Sequence, residues 1–151
     1  DSSPSGKLKA KDMYFDLIEY MKKMENKSIN LLFDRTFFTE EIYSRLKFKQ
    51  YDFSDAYESL LENFSALDFD IYYITLYLND TSLFAKRLER SGKAVIDYAK
   101  FDVQSSINQQ NEYLKMADEI SNKYPNIHVF KVSNDNDEEE IKTKIKNILN
   151  F

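Results

Sequence analysis

The sequence predicts an α/β fold with a mostly parallel sheet, and three observations point there. Strand-like and helix-like segments alternate along the 151 residues in the order strand, helices, strand, helices, strand, helix. The run from Phe69 to Leu78 is mostly apolar and rich in Ile and Tyr, as in a strand covered on both faces. Only two glycines and two prolines are present, too little punctuation for the tight turns of an all-β sandwich.

Residues 1–7 are polar, carry Pro4 and Gly6, and read as a loop. From about Leu8 to Lys27 the pattern is helical. Tyr14, Leu17, Ile18, Met21 and Met24 form one apolar stripe, and Asp12 is a candidate cap. Ile29 to Phe33 is a short apolar run that reads as a buried strand. Thr39 can cap a short helix, with Glu40 and Glu41 in the first turn, where the helix dipole favours acids. Ser54 and Asp55 open a further helix with Tyr57, Leu60, Leu61 and Phe64 on one face.

After the Phe69–Leu78 strand, Thr81 starts a helix carrying Leu83, Phe84 and Leu88, which Gly92 ends. Val103, Ile107, Leu114, Ala117, Ile120 and Tyr124 mark a longer helix stopped by Pro125. Ile127 to Val132 is the third strand, and Ile141, Ile145, Ile148 and Leu149 mark the last helix. No repeat, linker or low-complexity tract intervenes, so one domain over residues 1–151 is expected.

Composition excludes several classes. A net charge of −5 argues against a protein that coats a nucleic acid polymer, which needs a basic face. It leaves room for a small anionic ligand held by one or two arginines. There is no cysteine, so thiolate catalysis, disulfides and cysteine-ligated metals are out. That fits a reducing compartment, and the polar start shows no secretory leader, so a cytoplasmic location is expected. The apolar runs are strand-sized, well short of the roughly 20 residues of a membrane helix.

The most distinctive motif is Asp34-Arg35-Thr36-Phe37-Phe38-Thr39, with Tyr43 four residues on. It follows the Ile29–Phe33 run at once. In open α/β sheets, ligands bind outside the carboxyl ends of the strands. A guanidinium there suits a phosphate, and flat rings suit a base. The plain alternative is a salt bridge at a strand end, worth little. Arg87 and Arg90 share one helix face, either solvated beside Glu89 or facing an anion. His128, the only histidine, reads as a structural residue. Asp135, Asp137, Glu138, Glu139 and Glu140 read as a solvated first turn of the last helix rather than a calcium loop. Tyr72, Tyr73 and Tyr77 read as packing residues.

The segment from Asp34 to Tyr43 resembles the Asp-Arg signature of P-loop nucleotide kinases and is most similar to that of thymidylate kinases. Ile74 to Lys93, with Leu83, Arg87, Arg90 and Gly92-Lys93, resembles the family's strand, helix and arginine-bearing lid, here about residues 81–102. The helix with Gln109, Tyr113 and Leu114, the last strand and the last helix complete the order over roughly residues 10–150. The resemblance implies a three-layer P-loop kinase-like sandwich and a nucleoside monophosphate kinase. Such an enzyme passes the γ-phosphoryl of ATP, with Mg2+, to a pyrimidine deoxynucleotide such as dTMP.

By the same resemblance, Arg35 grips the acceptor phosphate, and Asp34 orients Arg35 or holds magnesium-bound water. Phe37 or Phe38 stacks on the base while the other lies in the core. Thr39 caps its helix, touches the ligand, or does both, and Tyr43 completes the acceptor site. Arg87 and Arg90 close over ATP, with Lys86 and Lys93 weaker candidates, and a homodimer is implied. A deoxynucleoside kinase is the near variant. A non-catalytic α/β module that binds a partner is the alternative of another class.

The departure from the family lies at the phosphate loop. Gly-x-x-x-x-Gly-Lys followed by Ser or Thr is absent; Ser5-Gly6-Lys7-Leu8 keeps only Gly6 and Lys7. Asp1 stands in the place of the first glycine and Leu8 in that of the hydroxyl residue. In the family, the strand before this loop lies between the strand bearing Asp-Arg and the one before the lid. The intact protein is therefore expected to carry a further N-terminal segment of strand, phosphate loop and helix.

Overall fold

Helix α1 runs from Pro4 to Lys23 in the computed structural model, which describes residues 1–91, 95–96, 99–100 and 102–150. Most of the segment read as a loop over residues 1–7 is therefore helical. Proline lacks the N–H that a first turn leaves unsatisfied, and its fixed φ already suits the helix. Asp12 lies inside α1 and caps nothing. Gly6 is needed for close approach: a Cβ there would meet the Asp1 carbonyl oxygen at 2.3 Å.

The described chain has six helices and a small parallel sheet, an α/β arrangement, and divides into two compact units, Asp1–Phe69 and Asp70–Phe151. In the first unit, α1 packs with α2 (Phe37–Arg45) and α3 (Ser54–Ser65). Ile18, Met21, Phe37, Ile42, Phe53, Ala56, Tyr57, Leu60 and Leu61 are buried. Phe64, expected on the inner face of α3, is half-buried.

Ile29–Phe33 is not a strand. Leu32 is 94% exposed, and Ile29 and Phe33 are exposed as well. Asn26 and Ser28 both take left-handed φ values, 60° and 53°, and turn the chain just before the run. Five residues with a polar Asn30 have strand composition, but a strand exists only when a neighbour pairs with it.

The second unit begins with β1 (Ile71–Tyr77) and α4 (Leu83–Ser91). A short antiparallel pair follows, β2 (Val95–Ile96) with β3 (Ala99–Lys100). Then come α5 (Val103–Lys123), β4 (Ile127–Ser133) and α6 (Glu138–Leu149). β1 and β4 pair in parallel without a break, from Ile71 opposite Ile127 to Tyr77 opposite Ser133. Helix α5 serves as the crossover that parallel strands require, packs on both strands, and buries Met116, Ala117 and Ile120.

Local chemistry sets the ends. Asp102 accepts from the Ser105 N–H at 2.6 Å and caps α5, while Asp137 does the same for α6 through the Glu140 N–H at 2.9 Å. Pro125 follows immediately after the last turn of α5, which closes at Tyr124. Asn150 ends α6 in the left-handed conformation, φ 57°.

Among the described residues the parallel sheet has two strands, not the three expected. Nor is β1 covered on both faces: Ile71 and Thr75 are buried, whereas Tyr72 and Leu76 on the opposite side are exposed. His128 sits on that open face, exposed and stacked on Tyr72 with ring centroids 4.9 Å apart. Gly92, expected to end α4, and Lys93 lie outside the described residues. Among those described, no helix is long and apolar enough to cross a membrane.

Candidate functional site

Asp34 and Arg35 lie in the loop that enters α2, and both are exposed. Arg35 holds a left-handed backbone, φ 64°. A residue with a Cβ pays on the order of 1–2 kcal/mol for that conformation. The turn places the cap one residue later, at Thr36, which is buried and makes no side-chain bond to the helix. Thr39 is thus not the cap; it is in the first turn, its N–H donating to the Thr36 carbonyl at 3.0 Å. The cap residue of α2 thus supplies no side-chain acceptor to the first turn.

The two phenylalanines have different surroundings. Phe37 is fully buried among Tyr14, Phe38, Tyr57 and Phe64. Phe38 is half-buried, stacks on Phe37 at 4.3 Å and meets Phe64 edge-on at 5.7 Å. Phe37 is therefore the core ring, and Phe38 is the one with surface left for a ligand. Tyr43 is half-buried, with its ring against Phe48 at 5.5 Å.

Below this rim, α2 carries a polar layer outside the Asp34–Thr39 motif. Glu41 is buried at 2% exposure. Its Oε1 accepts from Arg45 Nε at 3.0 Å and from Ser54 Oγ at 3.3 Å, while its buried Oε2 has no hydrogen-bond partner among the described residues. Burial pushes this carboxyl upward, against the pull of Arg45 and Ser54. The Arg45 guanidinium lies over the Tyr57 ring, 5.8 Å from its centroid. Glu40 accepts from the Tyr51 hydroxyl and pairs with Lys49 at 3.2 Å. Burial and the Glu40 contact push the Tyr51 phenol upward. The i,i+4 spacing of Glu41 and Arg45 was a readable signal.

In the second unit, Arg87 is half-buried and donates through Nη2 to the Asn134 carbonyl. The Arg90 side chain lies outside the described residues, as does part of the 81–102 lid segment. Asp135 is more than one acid in a solvated run. Its two oxygens accept from the Asn79 and Asp80 N–H groups, each at 2.7 Å. Desolvation works against the charged form, yet these bonds and the nearby Arg87 hold the Asp135 carboxyl below its ordinary value. Gln110, rather than its neighbour Gln109, brackets Leu78: it accepts from the Leu78 N–H at 2.7 Å and donates to its carbonyl at 3.0 Å. Nothing in the sequence distinguishes one glutamine from the other.

The start of the chain lacks the groups that would hold a triphosphate. Gly6 and Lys7 do lie in the first turn of α1. Lys7 Nζ, however, is engaged with Asp55 at 2.9 Å, the Asp1 carboxylate accepts from Lys9 and Ser3, and Leu8 points a 64% exposed apolar residue where a hydroxyl would be needed. These residues do not fit ATP with Mg2+.

No family model matches this chain, and neither a curated protein nor a solved structure matches it.

Proposed function

We propose that the first unit binds the phosphate and base of a pyrimidine nucleotide, as the acceptor half of a thymidylate kinase-like phosphotransferase. The observation that carries this reading is Arg35: an exposed guanidinium held in a strained backbone at the entry to helix α2. Strained backbone of this kind clusters at binding and active sites. Arg35 offers the phosphate a bidentate partner, and Phe38 offers a ring edge to the base. Asp34 and Tyr43 border the same loop and helix. A deoxynucleoside acceptor would use the ring without the guanidinium.

The test uses Arg35→Gly, which removes the guanidinium and the strain together. Its thermal midpoint should match or slightly exceed that of the native chain, by up to about 1 kcal/mol in stability. Stabilisation by dTMP should vanish, while that by thymidine, if any, persists. Unchanged dTMP stabilisation in this variant would sink the reading.

The alternative is a partner-binding module with no catalysis. It is favoured by Ile29, Leu32 and Phe33, three exposed apolar residues in one segment. The native chain with dTMP separates the two, since the module reading expects no nucleotide stabilisation even before any substitution.

A further inference from the structure

The carboxyl ends of β1 and β4 are tied together by side chains rather than by sheet pairing alone. The ladder ends with the Asn134 N–H donating to the Tyr77 carbonyl at 2.7 Å. Just past it, Asp135 spans to the opposite turn and takes two consecutive amides, Asn79 and Asp80, one on each oxygen. Arg87 returns from α4 to the Asn134 carbonyl. Asp80 in turn accepts from the Ser82 N–H at 3.0 Å and the Ser82 hydroxyl at 2.7 Å, shaping the turn that leads into α4.

The chain therefore leaves β1, is gripped at residues 79 and 80, and enters α4 at Leu83. Asp135 and Arg87 make reciprocal contacts across the same gap, one from each side. Among the described residues α4 also packs on α5. We propose that Asp135 is a latch that holds the turn between β1 and α4 to the turn between β4 and α6, and so sets the mobility of α4 and the position of Arg87. The proposal stands on this clasp and does not need the nucleotide reading, though a latch on α4 would matter to any use of Arg87.

The test is residue-resolved amide hydrogen exchange on the full chain, comparing the native protein with Asp135→Ala and Asp135→Asn. In Asp135→Ala, exchange at Asn79 and Asp80 should rise at least tenfold, and the rise should continue through Leu83 to Glu89. In Asp135→Asn, which keeps one acceptor oxygen and the same shape, the same amides should move less; this variant carries the test should the alanine variant fail to fold. A rise that stops at Asp80 would overturn the proposal, because α5 alone would then be holding α4. A rise shared equally by the β4 amides would also overturn it, since that reports loosening of the whole unit.

Discussion

Arg45→Met should destabilise the first unit by about 3–5 kcal/mol, because it strips the partner from a buried carboxylate. Glu41 is almost wholly enclosed, and its bond from Arg45 Nε compensates for the lost hydration. The pair itself is not the source of stability. Glu41→Leu combined with Arg45→Met should therefore recover most of the loss, as two apolar chains replace two charges. Urea titration of the three proteins measures this. A single variant within about 1 kcal/mol of native, a typical value for an exposed ion pair, would show that Glu41 reaches water.

The same carboxyl gives a pH dependence with a defined sign. Burial raises Glu41 above its ordinary value of 4.5, so the folded form binds its proton more tightly than the unfolded form. Its favourable contribution is full below that value and declines as pH climbs through the folded one. Glu41→Gln should remove the decline. The variant gains on the native protein with rising pH across that window, then the difference levels off. A constant difference at all pH values would mean that the carboxyl is not shifted.

Phe37→Ala and Phe38→Ala should differ sharply. Phe37 is fully enclosed by aromatic rings, and its removal should cost about 3–5 kcal/mol through lost transfer energy and the cavity left behind. Phe38 is half-buried on the rim and should cost less, on the order of 1–3 kcal/mol. Under the proposed function the ranking reverses for ligand: Phe38→Ala weakens nucleotide binding. Phe38→Ala that matches Phe37→Ala in stability and binds dTMP normally would place both rings in the core.

These contrasts show what the sequence made legible. Helices α3, α5 and α6 and strands β1 and β4 were readable because an apolar period and a cap are local features. Ile29–Phe33 misled because strand formation depends on a neighbour, and composition cannot supply one. The motif offers Thr39 as a cap, whereas the helix begins after Thr36. The left-handed turn at Arg35 decides between them, and it leaves no compositional trace. Phe37 and Phe38 are adjacent and chemically identical, and only the direction each takes from α2 separates core from rim. Asp135 was hidden in an acidic run whose other members do face solvent. For the strand and for Asp135 the missing information was a partner distant in the sequence; for the cap it was a local backbone turn.

The parallel pairing of β1 with β4 has a consequence for the newborn chain. Ile71 must wait for Ile127, with all of α4 and α5 synthesised between them. At about 5–20 residues per second, that delay on the ribosome is roughly 3–11 s. The first unit, built from neighbouring helices, has no such wait. During the interval β1 is an apolar segment without its partner, and pairing across so long a loop is slow. The stretch from Ile71 to Tyr77 is therefore where a chaperone, or a second nascent chain, has its opportunity.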